Sequence, residues 1–434
     1  MHVLERRQAP DSATLFLEVL PAPVKQPGDA PFAHLTAGCT VSHGRAIGTL
    51  RIVIADTRSD LQRCFRFART IYRKDPNWVQ PILADRLDKV DPSRNPFWRT
   101  AERRLWMALR DDEVVGTIAA IHDRKSNEVL HRSTGTFGFF ECLDDPRAAV
   151  LLVDTASAWL SARGLTTMRG PYNPAGDDEP GILVEGFGTL PAIMEAHSPP
   201  YYAPLLESAG MRKYQDMFAR LFVRPAGNHP FLQDAPPRLR RAIEIAGKRD
   251  RGVVIRTLDP RRWDEDIRTA CRLFNRALAY LPDHVPVSEE EFLALAAGLK
   301  PILDIDLALL AEIDGKPAGF GLMLPDANQA LRHVDGRLDL VGILRFLWHR
   351  RSIDRASFKI MMVAPEYQDR FVEVLIIQRL CETLWRKGYQ EVDLSLTGDE
   401  NWKSNRIQER TGTHVYRRYR IYQKDLHPTE GDSP

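Results

Sequence analysis

The sequence lacks several features that would each place it in a familiar class of protein. No apolar run in its 434 residues approaches the roughly 18 residues that a bilayer-spanning helix needs. Its 60 basic and 58 acidic residues leave a formal net charge of only +2. No overall positive field therefore recruits nucleic acid. The 44% hydrophobic content is that of an ordinary globular protein.

Cysteine is scarce, and its few positions are scattered. The five cysteines are odd in number and show no C-x-x-C spacing, which argues against a structural zinc site and indicates a reducing compartment. The amino-terminal residues combine acids with a short apolar patch and make a poor signal peptide. We therefore expect a cytoplasmic protein without a metal, in contact with the inner membrane at most peripherally. The cysteines are Cys39, Cys64, Cys142, Cys271 and Cys381.

The same order of predicted secondary-structure elements occurs twice in the sequence. Each copy runs from a β-branched strand through helices and an acidic hairpin to a long helix, a short helix and a final strand. We predict two halves, 49–224 and 253–424, joined by a basic helical linker, 225–252. Residues 1–48 have no sustained period and predict a disordered extension, and residues 425–434 predict a flexible tail.

Local signals predict several helix ends and one buried helix face. Ser59 and Ser288 each precede a Gln or Glu by three residues, which predicts capping boxes. Gly164 and Gly388 follow long helical patterns and predict left-handed caps. The helix that Asp145 opens carries an apolar stripe. The stripe consists of Ala149, Leu152, Val153, Ala156 and Leu160.

The stretch 169–202 is the main difference between the two copies. Gly210 follows Gly164 by 46 residues, whereas Gly412 follows Gly388 by only 24. About 22 extra residues thus follow a strand from the middle of the sheet, and ligands of α/β sheets bind beyond the carboxyl ends of such strands. The insertion is therefore a candidate functional loop, although a long structural connection is an equal alternative.

The order of elements resembles that of the GNAT-superfamily N-acetyltransferase fold in both copies. Residues 361–368, MMVAPEYQ, resemble the family's strand into its donor-binding turn, and 401–412 resemble the short helix that follows. The resemblance implies an α/β protein of two tandem GNAT-like lobes, each a mixed twisted sheet flanked by helices. It also implies a set of donor contacts. These are Met362, Val363, Gln368, Arg370, Asn401 and Asn405.

The donor turn departs from the family's pattern. The family's Q/R-x-x-G-x-G/A turn holds a pyrophosphate through backbone N–H groups, but here Phe371 and Glu373 stand where small residues belong. Either the donor lies differently, with Arg370 supplying charge, or activity has been lost. Gln408 replaces the tyrosine that would act as the acid. The first copy has no glycine turn, so we expect the donor at the second.

Four further motifs occur along the chain: KDPNWVQP, NPFW, RGPYNP and YRRYRIYQK. With them, the whole chain resembles a family of tandem acetyltransferase-fold bacterial proteins close to the bacterial ceramide synthases. The resemblance implies an N-acyltransferase with acyl-CoA or acyl carrier protein as donor substrate, and no tightly bound cofactor. The acceptor would be a small-molecule or lipid amine near the inserted loop. The alternative is a catalytically inactive fold that binds an amine, lipid or acyl ligand.

Amine acylation needs a base for the ammonium group and an acid for the leaving thiolate. The insertion offers both kinds of side chain. The candidate bases or ammonium anchors are Asp177, Asp178, Glu179 and Glu185. The candidate acids are His197, Tyr201 and Tyr202. Adjacent acids are also typical of a solvated turn, and a tyrosine pair is also a common packing feature.

The segment 338–351, LDLVGILRFLWHRR, has apolar residues at helical spacing and a basic carboxyl end. A core or inter-domain helix is one interpretation. A membrane-surface helix that admits a lipid substrate is the other.

Overall fold

The computed structural model describes residues 49–175, 178–227, 229–249, 252–281, 283–409 and 411–426. The predicted extension 1–48, Asp177 and most of the predicted tail 425–434 lie outside these residues. The strands are β1 (Leu50–Ile54), β2 (Ala101–Arg110), β3 (Glu113–Asp123), β4 (Thr134–Cys142), β5 (Thr167–Gly170), β6 (Ile182–Glu185), β7 (Arg212–Val223), β8 (Val253–Thr257), β9 (Ala308–Ile313), β10 (Lys316–Pro325), β11 (Arg355–Val363), β12 (Glu391–Gly398) and β13 (His414–Asp425). The helices are α1 (Arg58–Tyr72), α2 (Leu83–Val90), α3 (Arg124–Leu130), α4 (Pro146–Ser161), α5 (Tyr202–Ser208), α6 (Phe231–Asp234), α7 (Pro237–Arg249), α8 (Trp263–Leu278), α9 (Glu289–Leu299), α10 (Asn328–Leu331), α11 (Leu340–His349), α12 (Val372–Lys387) and α13 (Trp402–Glu409).

The strands form one mixed sheet in which the predicted repeat is visible. Their order is β1-β2-β3-β4-β5-β13-β7-β12-β11-β10-β9-β8, and β6 pairs with β13 outside this path. β4 is parallel to β5 and β11 is parallel to β12, whereas the other pairs are antiparallel. The predicted fold, two lobes that each contain a mixed sheet flanked by helices, is confirmed.

Each half gives its last strand to the other half. β13, from the end of the chain, lies beside β5 of the first half, with Tyr422 opposite Gly170. β7, from the end of the first half, lies beside β12 of the second, with Phe222 opposite Val392. β7 and β13 also pair with each other at the centre. Neither half-sheet is therefore complete without a strand from the other. The boundaries 49–224 and 253–424 stay predictions.

One long helix covers the centre of each half-sheet. The predicted apolar stripe of α4 is confirmed, because all of its side chains are fully buried against the first half-sheet. α12 buries Val372, Ile376, Leu380 and Leu384 against the second half-sheet in the same way. The left-handed caps predicted at Gly164 and Gly388 are also confirmed, with φ of 75° and 84°.

Of the two predicted capping boxes, one is confirmed and one is wrong. Ser288 caps α9 and exchanges hydrogen bonds with Glu291. α1 begins earlier than predicted, because Thr57 caps it in place of Ser59. The Asp60 carboxylate accepts hydrogen bonds from both the N–H and the hydroxyl of Thr57, and bonds to an ionised acceptor are the stronger kind.

The helix predicted over 338–351 forms as α11, but the interpretation of it as a core or inter-domain helix is wrong. Gly342 is its only buried residue, and its large apolar side chains other than the half-buried Phe346 are exposed. Throughout the described part of the chain, no helix is both long and apolar enough to cross a bilayer.

Candidate functional site

The second half-sheet opens where β11 and β12 diverge. These parallel strands pair only through residues 355–357 and 391–393, at their amino ends. Both strands are irregular at the point of divergence, because the register skips Lys359 in β11 and shifts after Asp393 in β12. Ser395 takes a left-handed conformation there, with φ of 57°. At these irregular positions Lys359 Nζ lies 3.4 Å from Ser395 Oγ, so a side chain from each strand meets the other where the strands diverge.

The first half-sheet opens in the same way, but the inserted stretch fills the opening. β4 and β5 pair only through residues 134–136 and 167–169. Beyond them, the Tyr172 N–H donates to the Phe137 carbonyl at 2.9 Å, and the Phe139 N–H donates to Asn173 Oδ1 at 2.7 Å. A Cβ at Gly138 would overlap the Tyr172 carbonyl oxygen. The close approach of these backbones leaves the second opening as the candidate site.

The later part of the insertion lies against the second half. The Ile193 N–H donates to Asp326 Oδ1 at 2.9 Å, and Asn328 Nδ2 donates to the carbonyls of Pro191 and Ala192 at 3.1 Å. Asp326 is itself held by a buried ion pair with Arg355, at the start of β11. Segment 191–193 is therefore anchored at the amino end of the strand that borders the opening.

Residues of the first half hold the insertion from the other side. Asp75 accepts a hydrogen bond from His197 Nε2 at 2.7 Å, and the Tyr72 hydroxyl donates to the His197 carbonyl at 3.1 Å. His197 Nδ1 accepts a hydrogen bond from Arg417 at 3.0 Å. Burial lowers the pKa of His197, and the nearby Asp75 only partly offsets this. A neutral imidazole therefore links α1, the insertion and β13.

Glu195 lies between these two anchor points, at the edge of the opening. Its side chain is 5% exposed. Glu195 Oε2 accepts hydrogen bonds from the hydroxyls of Tyr419 at 3.1 Å and Tyr416 at 3.4 Å. Glu195 Oε1 is buried and has no hydrogen-bond partner among the described residues. An unsatisfied buried carboxylate oxygen is costly, so a free acceptor here indicates a site for a ligand or a proton.

The electrostatic environment of Glu195 suits a base. Burial, followed by repulsion from Asp393, raises its pKa to about 7, against the attraction of Lys359 and Arg417. Asp393 joins the cluster through Tyr416, whose hydroxyl lies 3.2 Å from Asp393 Oδ1. A carboxylate that titrates near neutral pH can accept a proton from an ammonium group and release it again.

Asp178 and Glu179 lie elsewhere, in ion pairs with α2. Lys89 Nζ is 2.7 Å from Asp178 Oδ1, and Arg86 contacts both oxygens of Glu179 at 2.7 and 2.8 Å. Burial raises the pKa of Asp178 to about 6, despite Lys89. Burial also opposes the charge of Glu179, but Arg86 and Lys89 outweigh it and lower its pKa to about 2. Catalysis by either carboxylate stays a prediction, and these pairs favour a structural role.

The other catalytic candidates are also separate from Glu195. Glu185 is more than half exposed and pairs with Arg418 at the surface. Tyr202 is fully buried beneath α4, where its hydroxyl donates to Glu141 Oε2 at 2.6 Å and accepts from the Cys142 N–H at 2.9 Å. Burial and Glu141 raise the pKa of Tyr202 well above 10. Its role as an acid stays a prediction that this burial disfavours.

Several of the predicted donor contacts lie around the opening. Met362 and Val363 are half-buried at the carboxyl end of β11, where β10 pairs with them on one side only. Asn401 caps α13 by accepting a hydrogen bond from the Ser404 N–H at 3.2 Å. Asn405 is buried, and its Nδ2 donates to the Gly398 carbonyl at 2.8 Å. Asn405 Oδ1 has no hydrogen-bond partner in the described structure.

The donor turn itself is built around an acid. Gln368 and Arg370 lie in the short 3-10 helix Pro365–Arg370, and Phe371 takes a left-handed conformation with φ of 57° before α12 begins. Burial raises the pKa of Glu373 in the first turn of α12, and Glu373 Oε2 finds no partner among the described residues. A carboxylate at this helix terminus competes with a phosphate for the same N–H groups.

Glu195 is not among the catalytic candidates that the sequence predicts. The three adjacent acids at 177–179 are conspicuous, whereas Glu195 is a single acid between Met194 and Ala196. Apart from the Ala192 N–H, which donates to Glu195 Oε2 at 3.3 Å, the groups that act on Glu195 lie on β11, β12 and β13, more than 160 positions away in the chain. The available signal was the insertion that contains it.

The comparisons with known proteins agree with this architecture. No family model matches the chain. A tandem GNAT protein from the clavulanic acid biosynthesis pathway superposes with a TM-score of 0.51 at 12% identity, over 88% of this chain and all of that one. The chain thus has a two-lobed fold of the GNAT type.

One of two similar proteins identifies the family. The chain is 32% identical to the bacterial ceramide synthase of Caulobacter vibrioides over 384 residues, which cover 87% of this chain and 98% of the relative. It is 29% identical to the protein YghO of Escherichia coli over 375 residues, 85% of this chain and 94% of that protein. The chain belongs to the bacterial ceramide synthase family.

Proposed function

We propose that this protein is an N-acyltransferase that moves an acyl group from a thioester donor to an amine at the opening between β11 and β12. The observation that carries the proposal is the Glu195 carboxylate, which is buried at this opening with one oxygen unpaired. A base is most effective when its pKa lies near the working pH, and that of Glu195 is raised to about 7.

The cluster supplies both proton transfers of the reaction. Glu195 Oε1 accepts one proton from the acceptor's ammonium group. The neutral amine then attacks the thioester carbonyl, and the new C–N bond forms as the C–S bond breaks. The Tyr416 hydroxyl protonates the leaving thiolate and regains a proton from the amide nitrogen. The raised pKa of Tyr416, caused by burial and by Glu195, keeps this hydroxyl protonated before it donates. One proton is released overall.

The free edge of β11 suits an extended donor arm. Residues 358–363 have no strand on the β12 side within the described sheet. Their backbone groups can pair with the amides of a pantetheine arm, as an added strand would. Asn405 Oδ1 offers a further acceptor. Such an arm is common to acyl-CoA and to an acyl carrier protein, and either donor fits this edge.

A lipid amine is the acceptor that we favour. One relative is named a ceramide synthase, and Glu195 lies within the insertion, between its anchors at Ile193 and His197. The acceptor would approach along the insertion, with its ammonium group towards Glu195 and its chain away from the charged cluster.

A catalytically inactive binding protein is the second candidate, and one specific observation favours it. Glu373 lies where the family's donor turn needs a small residue, and Oε2 of this half-buried residue has no hydrogen-bond partner in the described region. If this carboxylate excludes every donor, the site would retain only an amine or a lipid.

The test is amine-dependent release of thiol from long-chain acyl-CoA and from acyl carrier protein. We expect turnover with at least one donor and a long-chain amine. Glu195→Gln should lower the rate roughly 10²- to 10⁴-fold, the usual contribution of a general base. Glu141→Gln is the matched control, because burial also raises the pKa of Glu141 to about 7 but its opening is filled. It should retain turnover.

Two outcomes would contradict the proposal. Full activity of Glu195→Gln would place the chemistry elsewhere. Thermal stabilisation by a long-chain amine alone, with no thiol release and no shift with any donor, would favour the binding protein.

A further inference from the structure

We propose that α11 docks the protein on the surface of an anionic phospholipid bilayer. The observation is an amphipathic helix whose apolar face points away from the protein. Leu340 is 73% exposed, Leu344 58% and Trp348 70%. A surface helix normally turns this face to the core, so its outward direction requires an explanation.

The exposed apolar residues form one continuous face. At 100° per residue, they cover an arc of about 160° on the helix. Gly342, Phe346 and His349 lie on the opposite side, and they are buried or half-buried against the protein. His349 stacks on His333 with ring centroids 3.9 Å apart, which fixes the orientation of α11. The outward residues are Leu340, Val341, Ile343, Leu344, Leu347 and Trp348.

The charges around this face match an anionic lipid surface. Arg337, Arg345, Arg350 and Arg351 are all exposed, and none of them forms an ion pair with a residue that the structure describes. Two acids, Asp335 and Asp339, lie at the amino end, and the Asp339 side chain is engaged in capping α11. The segment 335–351 therefore carries more positive than negative charge, concentrated at the carboxyl end of the helix.

The composition of the face favours a bilayer over a protein partner. Leucine and tryptophan flanked by arginines are the residues of helices that lie in the headgroup region, where the tryptophan ring and the arginine stems occupy the interface. α11 is 10 residues long, so it can lie on a bilayer but cannot cross one. This proposal does not depend on acyl transfer.

The docked helix would also lie beside the candidate site. α11 packs on α10, and Asn328 of α10 holds the carbonyls of Pro191 and Ala192 in the inserted stretch. Glu195 follows three residues after Ala192. A bilayer under α11 would therefore bring membrane lipids close to the insertion.

The test is flotation of the full chain with vesicles of equal parts phosphatidylcholine and phosphatidylglycerol, and with pure phosphatidylcholine. We expect binding to the anionic vesicles at low salt and much less at high salt. Leu344→Glu should weaken binding at least tenfold, because it removes one apolar side chain that the bilayer would bury and adds repulsion from the anionic lipids. Replacing Arg350 or Arg351 with Ala should each weaken binding to the anionic vesicles roughly fivefold and leave binding to pure phosphatidylcholine unchanged.

Val254→Glu is the matched control, because Val254 is 59% exposed on the edge strand β8. It should bind vesicles as the wild type does. Leu344→Glu should keep the wild-type melting temperature, since Leu344 is exposed. Absent binding of the wild type, or unchanged binding of Leu344→Glu, would overturn the proposal. The proposal would also be overturned if the wild type formed a concentration-dependent dimer and Leu344→Glu were monomeric, because a second copy of the chain would then cover the apolar face.

Discussion

Replacement of Glu195 with glutamine should make the protein more stable while it lowers turnover roughly 10²- to 10⁴-fold. Burial raises the pKa of Glu195 from 4.5 to about 7, so ionisation of this side chain above pH 7 costs the folded state about 3 kcal/mol. Glutamine has nearly the same shape, keeps an acceptor for Tyr419 and Tyr416, and is never charged. The variant should therefore recover much of this free energy of unfolding.

The gain should depend on pH in a defined direction. Below pH 4.5 the carboxyl group is protonated in both states, so wild type and variant should differ little. Between pH 4.5 and about 7 the unfolded chain ionises first, which stabilises the unfolded wild type. The stability difference should therefore grow over this range and stay constant above it.

Urea denaturation at a series of pH values measures this difference, and thiol release on the same samples measures activity. Glu141→Gln should shift stability in the same direction and by a similar amount, because burial also raises the pKa of Glu141 to about 7, and it should keep its turnover. A Glu195→Gln variant that is less stable than wild type at pH 8 would show that the charge of Glu195 holds the fold together. That result would refute the assignment of Glu195 as a carboxylate whose ionisation destabilises the fold and that accepts a proton from the substrate.

Three further predictions concern the structure around the two openings. Gly138→Ala should lower the free energy of unfolding in urea by about 1 to 3 kcal/mol, because its methyl group would overlap the inserted backbone. A methyl group at Gly188 would meet nothing within 4 Å, so Gly188→Ala should change this free energy little. Glu179→Ala should lower the free energy of unfolding by about 2 kcal/mol, because it leaves the largely buried Arg86 without its partner. An unchanged midpoint of urea denaturation would show that the ion pair does not stabilise the fold. Glu373→Gln should tighten coenzyme A binding about fivefold in calorimetry by removing one like charge, and an unchanged affinity would place the pyrophosphate away from this turn.

Much of the architecture was predictable from local signals in the sequence. The caps at Gly164 and Gly388, the stripe of α4 and the capping box at Ser288 depend on residues within a few positions of each other. The exchange of β7 and β13 was not predictable in this way. Strand patterns show which segments form strands but not which strands pair with each other. Here the paired strands come from opposite halves.

The same limit applies to the candidate site and to α11. The pKa of Glu195 depends on Asp393 and Lys359, which the fold brings to it from distant strands. The periodicity of α11 predicts an apolar face correctly. It does not predict whether that face meets the core or the outside, because this depends on how α10 and the sheet place the helix.

The most direct test of the account is a structure of the protein with a thioether analogue of a long-chain acyl donor. We expect the donor arm along β11, between β11 and β12, with the carbon that replaces the thioester carbonyl in reach of Glu195 and Tyr416. Density for the analogue between β4 and β5, or at a surface remote from Glu195, would contradict the assignment of the second opening as the reaction site.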